Sequence, residues 1–259
     1  MTVCCSCNKT TSLPEYNEDP VLTSYLSPWG IFDLQLAHQQ STSSEAYHPP
    51  GLDSLTITVS SNDTSYVLTS LGKGEYENGM IPMKAGTKYD LSFSYNGKIV
   101  TTSTVIPSKP VNFAESVSEI SITQQTASSF PGGTPGTFPD PVKLTWDNPD
   151  ASYYLVVVKN LETNPARISD TVLNSSDTSI TFGSKPSITN TYSINPNSFK
   201  YFGKHRIVLF HINPDYASLY SDNNSSSQNL STPSTGIING VGIFTAINAD
   251  TLYLQVDKK

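Results

Sequence analysis

Apolar and polar residues alternate with a period of two over much of this chain, which predicts strands with one buried face. In residues 141–159, PVKLTWDNPDASYYLVVVK, the apolar Val142, Leu144 and Trp146 interleave with Lys143, Thr145 and Asp147. Asn148-Pro149-Asp150 then breaks the run, because proline lacks an amide donor and Asn and Asp satisfy backbone groups locally. Residues 153–158 are apolar on both pleat faces, as expected of a central strand, and Trp146 reads as a core anchor. Two strands around a tight corner, with a tryptophan on the first, predict an immunoglobulin-like or fibronectin-type sandwich.

The same period places strands over 21–26, 29–36, 55–59, 66–69, 89–95 and 99–105. Asn96-Gly97 joins the last two as a two-residue hairpin, since both positions tolerate positive φ. Pro107 and Pro110 end that ladder, and a boundary is expected there. Beyond it, strands are expected over 113–123, 167–174, 178–182 and 204–212, then two more over 237–245 and 251–256. Asn213-Pro214-Asp215 resembles a helix start, with Asn or Asp as the cap, so one helical turn is expected over 216–220. The Pro- and Gly-dense 124–140 and the Ser/Asn-rich 221–235 read as loops. The fold class is therefore all-β, as two immunoglobulin- or fibronectin-III-like β-sandwiches in tandem. Residues 1–20 are expected to be a signal remnant and tether, 21–110 the first sandwich and 111–259 the second.

Composition narrows the function more than the fold. With a net charge of -7 and a pI of about 5.0, a phosphate backbone is repelled over much of the surface, and nucleic-acid binding is not expected. No run of 18 or more apolar residues is present to span a bilayer as a helix. Cys4, Cys5 and Cys7 are the three cysteines, too crowded for a disulfide framework and without distant cysteines for a zinc site. Two readings fit them. One is a removable tail; the other is the end of a lipoprotein signal, with Ser6-Cys7 as the small residue and the cysteine that becomes lipidated. The basic start and most of the apolar run of such a signal do not precede Cys7, so either Met1 is not the true start or the segment was trimmed.

Candidate catalytic chemistry is sparse. His205 and His211 share a strand face roughly 20 Å apart, too far for one metal ion. His38 and His48 lie on a loop. No G-x-S-x-G nucleophile elbow occurs, and Gly240 and Gly242 read as glycines relieving a turn or bulge. No catalytic residue, metal site or cofactor is expected. The binding hint is aromatic: 14 tyrosines, with Tyr47, Tyr153, Tyr192, Tyr201, Tyr216 and Tyr220 near loops or strand ends. Among these Tyr47, Tyr216 and Tyr220 are the candidate ligand-contact positions, because tyrosine adds rigid contact area at low entropic cost.

Several short stretches, in order along the chain, carry a family resemblance. They are Val21-Leu22-Thr23-Ser24-Tyr25-Leu26, Gly74-Glu75-Tyr76, Ala85-Gly86-Thr87-Lys88-Tyr89-Asp90-Leu91, Thr104-Val105-Ile106-Pro107 and Ile238-Asn239-Gly240-Val241-Gly242-Ile243-Phe244. With them the sequence resembles the Bacteroidota envelope lipoproteins grouped as domain of unknown function 4249. The resemblance implies lipidation at Cys7, an outer-membrane and surface-exposed location, and association with a TonB-dependent transporter. It implies no catalysis, cofactor or substrate. In that setting Asp53-Ser54-Leu55, Asp170-Thr171-Val172 and Asp250-Thr251-Leu252 resemble short O-glycosylation signals. Two expectations about function follow: a non-enzymatic accessory partner of a transporter, or a carbohydrate- or peptide-binding module of a degradative system. A hydrolase with an unrecognised site ranks third.

Overall fold

The computed structural model describes residues 19–39, 50–124, 139–169, 180–220 and 236–259. Alternation becomes strand almost everywhere it was expected. The first half contains β1 (Val21–Leu26), β2 (Phe32–Ala37), β3 (Ile57–Ser61), β4 (Thr64–Val67), β5 (Thr69–Gly72), β6 (Glu75–Asn78), β7 (Lys88–Tyr95) and β8 (Lys98–Val105). After the Pro107–Pro110 linker come β9 (Ala114–Glu115), β10 (Glu119–Ile122), β11 (Val142–Thr145), β12 (Tyr153–Asn160), β13 (Thr181–Gly183), β14 (Thr191–Ile194), β15 (Gly203–Ile212), α1 (Pro214–Ser218) and β16 (Val241–Lys258). The Asn96-Gly97 turn has φ of 47° and 75°, the doubly positive geometry that matches strand twist in a two-residue hairpin.

Three local expectations shift. β2 starts at Phe32 and not at Trp29, because Ser27 to Gly30 closes a turn in which the Gly30 amide donates to the Ser27 carbonyl at 3.3 Å. The strand expected over 113–123 is split into β9 and β10. Of the strand expected over 167–174, only 167–169 fall within the described residues, where Arg167 forms a single bridge to Tyr201.

The largest departure concerns the end of the chain. Where two strands were expected, 237–245 and 251–256, one 18-residue strand runs through, roughly 60 Å long at a normal strand rise. Its first part pairs in parallel with β1, from Val21↔Val241 to Leu26↔Ala246. Its later part pairs antiparallel with β15, from Ile212↔Ile247 to Gly203↔Val256, and its last residues pair in parallel with β10. The principal path of the resulting sheet is β13-β12-β15-β16-β1-β2-β6-β5.

The even-numbered face of β16 explains why the break was expected. Phe244 and Ala246 enter a first core, closed by the β4-β3-β7-β8 sheet, with Leu22, Leu26, Phe32, Ile57, Tyr89 and Val100. Leu252, Leu254 and Val256 enter a second, closed by β14-β11-β9, with Val142, Leu144, Trp146, Val156 and Ile207. Between them Asn248 and Asp250 hold the linker: the Asn248 amide donates to the Pro107 carbonyl at 2.9 Å, and Lys109 pairs with Asp250 at 2.9 Å. His211 Nδ1 donates to the Ser108 carbonyl at 2.8 Å. A polar pair that looks like a turn in sequence is thus a clamp inside a continuous strand. The two cores divide near residue 110, yet the first is completed by residues 244 and 246, which the sequence assigned to the second unit.

His205 sets an acid limit on this architecture. It is 2% exposed, its Nδ1 donating to the Gly203 carbonyl at 3.0 Å and its Nε2 accepting from the Asn160 amide at 3.2 Å. A proton on Nε2 would face that amide donor and lose the bond. Burial lowers the pKa of His205 below its ordinary 6.5, only partly offset by the Gly203 bond and by Glu162, and burial lowers His211 likewise. A depressed folded pKa means the unfolded chain takes up protons first, so this stability is complete above about pH 6.5 and is lost as pH falls through the folded values. The thermal midpoint is expected to fall between pH 7 and pH 5, and the fall to be shallower in a His205→Gln/His211→Gln variant. A flat profile, or an unchanged slope in the variant, would contradict this.

Candidate functional site

β12 is apolar on both faces for a reason that lies outside the second core. Tyr154, Val156 and Val158 point inward, while Tyr153, Leu155 and Val157 join Phe210, Ile212 and Ile247 on the outer face. Helix α1 covers that outer cluster with the buried Ala217. The helix is pinned at its N-terminal end. Asn213 occupies the cap position the sequence indicated, with Pro214 in the first turn, but its side-chain amide turns outward and donates to Thr104 Oγ1 at 2.9 Å and to the Val105 carbonyl at 3.1 Å. Asp215 Oδ1 accepts from the Tyr216 amide at 2.8 Å and from Thr245 Oγ1 at 2.7 Å, and Ser218 Oγ donates to the Asp215 carbonyl at 2.6 Å.

That pinned turn assembles tyrosines from distant parts of the chain. Tyr216 meets Tyr25 of β1 edge-on with ring centroids 5.9 Å apart, and Tyr220 at 5.8 Å. Tyr25 remains 42% exposed. Burial raises the Tyr216 hydroxyl pKa, with its hydrogen bond to Tyr220 adding to the effect. Burial also raises Tyr25, with Tyr220 second. Tyr25 and Tyr216 are therefore neutral phenols at physiological pH, and Tyr220 packs beside them. Together they form a half-buried aromatic surface whose orientation the hydrogen bonds of α1 fix.

Beside it lies a cleft of about 200 Å³ lined by Tyr153, Lys185, Pro186, Pro214, Ala217, Ser218 and Tyr220. Its far wall is held by backbone bonds between Tyr154 and Ser187, 2.8 and 2.9 Å in the two directions, and by the Ser184 amide donating to the Val156 carbonyl at 2.9 Å.

The expected site residues separate clearly. Tyr216 and Tyr220 lie together in this surface, whereas Tyr47, Cys7 and His48 lie outside the described residues. Tyr201 is buried and Tyr192 packs against the second core, so both serve the fold. Tyr25 and Lys185 were not singled out by sequence. Tyr25 was nevertheless visible as an outward position, since Leu22, Ser24 and Leu26 take the buried face of β1. Lys185 carried no such signal, because its place depends on a loop folding against β12. Among the described residues no three His, Cys, Asp or Glu converge as metal ligands, and no helix is long and apolar enough to cross a membrane.

Fold and site together define an all-β protein with sandwich-like sheets and an aromatic surface on the outer face of the longest sheet. The chain belongs to the family described as Domain of unknown function (DUF4249), whose model matches residues 17–252. No curated protein matches the chain. Among solved structures it is similar to the chicken CNTN1 FN1-FN3 domains at 10% identity and a TM-score of 0.28, covering 91% of this chain and 68% of that one.

Proposed function

We propose that this protein is a non-enzymatic, surface-exposed lipoprotein of the outer membrane, tethered through Cys7, that serves as an accessory partner of a TonB-dependent transporter. The observation that carries the binding role is the fixed tyrosine surface of Tyr25, Tyr216 and Tyr220. Exposed aromatic rings whose rotamers are already restricted lose little further entropy on contact, which favours partner recognition. The family resemblance supplies the membrane setting. Capture of the full-length protein from cross-linked envelopes is expected to recover a TonB-dependent transporter, and a Tyr25→Ala/Tyr216→Ala variant to lose it. Radiolabelled fatty acid is expected on the wild type and not on Cys7→Ala. A protein carrying no lipid and recovering no transporter would refute the proposal.

A second reading is favoured by the cleft beside α1. In it the protein is a substrate-binding module of a degradative system, with Tyr153 and Tyr220 as contact residues.

A further inference from the structure

The cleft has a chemical bias that the tyrosine surface lacks. Of its lining side chains only Lys185 is charged, and among the described residues Lys185 has no ion-pair partner. Among the described residues no acid lines the cleft. The nearby Asp215 carboxylate is already engaged by Thr245 and the Tyr216 amide. An ammonium with no ion-pair partner among the described residues, at the edge of a ring-lined hollow of mixed polarity, favours an anionic group attached to a flat or ring-shaped body.

Size and backbone chemistry restrict the body further. At about 200 Å³ the cleft is smaller than the roughly 300–1,000 Å³ of pockets that enclose a drug-sized ligand, so it accommodates one residue of a longer molecule. Two of its lining residues, Pro186 and Pro214, have no backbone N–H, so they interrupt any main-chain ladder with a bound peptide. A sugar needs no such ladder. Its ring can lie against Tyr153 or Tyr220, and the Ser218 oxygen, whose proton goes to the Asp215 carbonyl, can still accept from a sugar hydroxyl.

We propose that this cleft binds one carboxylate-bearing sugar residue of an acidic polysaccharide, with Lys185 pairing with the carboxylate and the tyrosine rings contacting the sugar. The proposal rests on the second reading above and names its substrate class. The net charge of -7 repels a long polyanion, so recognition is confined to the few residues that enter the cleft and short oligomers suffice as probes.

The test titrates the full chain with oligomers of galacturonate, of mannuronate and of hyaluronate. Fully methyl-esterified galacturonate oligomers, neutral cello-oligosaccharides and a hexaglutamate peptide serve as comparators. At least one acidic oligosaccharide is expected to bind. Esterification and Lys185→Gln are each expected to weaken binding about tenfold, the scale of one charge-assisted hydrogen bond. Lys185→Gln is also expected to be indifferent to esterification and to keep the wild-type melting midpoint. Tyr220→Ala should weaken binding of acid and ester alike. If neutral sugars bind as well as acidic ones and Lys185→Gln changes nothing, the acidic-sugar inference falls while the second reading stands. If neither a saccharide nor the peptide binds, both fall. Preference for hexaglutamate would overturn the inference in favour of an acidic peptide. Transporter capture by Lys185→Gln should be unchanged, which separates this site from the tyrosine surface.

Discussion

A fragment ending at the linker, residues 19–110, is expected not to fold by itself, although it contains eight of the strands and most of the first core. It lacks Phe244, which is 2% exposed and packs 6.1 Å from the ring of Phe32, and it lacks Ala246 beside it. It also lacks the whole parallel ladder from Val241 to Ala246, leaving β1 as an open edge. Truncating one buried phenylalanine costs about 3–5 kcal/mol, and a domain has about 5–15 kcal/mol of stability. Losing the ring and a six-residue ladder together removes most of that margin. Circular dichroism and thermal melting are expected to show no cooperative transition for the fragment, and a peptide spanning residues 237–250 is expected to restore one. A fragment that melts cooperatively near the midpoint of the full chain would show that β16 is dispensable to the first unit.

The second large effect concerns Gly242→Ala. Gly242 has φ of +114°, and a Cβ there would lie 2.0 Å from the Leu22 carbonyl oxygen and 2.9 Å from the Leu22 carbon and nitrogen. The colliding atoms are backbone of the paired strand, so the neighbour cannot rotate aside as a side chain would. Both the conformation and the space demand glycine. A loss of about 3 kcal/mol or more is expected, read as a fall of roughly 6–12 °C in the melting midpoint for a chain of this size. Gly86→Ala provides the control: its φ is +77°, but no heavy atom lies within 4 Å of the added Cβ. Its cost should be about 1 kcal/mol, from conformation alone. Equal losses in the two variants would mean that the approach of β16 to β1 is not the constraint.

These two predictions mark where the sequence stopped being readable. The Asn96-Gly97 hairpin, the alternation in β7 and β8, and the corner between β11 and β12 were legible because each is decided within a few residues by φ preference or pleat period. The all-β class followed from those local signals. Gly242 was recognised as a glycine beside a strand, but not as the close approach that allows β1 and β16 to pair, because that contact joins residues 220 positions apart.

The candidate site divides in the same way. Tyr216 and Tyr220 were marked by their place in a tyrosine-rich turn, and the apolar run of β12 announced a strand with two covered faces. Their convergence with Tyr25 depends on β1 lying against β16, whose Thr245 hydroxyl donates to Asp215. The cleft depends on the loop at 185–187 docking against Tyr154. By itself the sequence determined most of the strands, their turns, the sandwich class and the acidic charge, all properties carried by neighbouring residues. Only the tertiary structure decided that Asn248 and Asp250 continue a strand. Their polar side chains bond to the linker, and that makes one strand serve both cores.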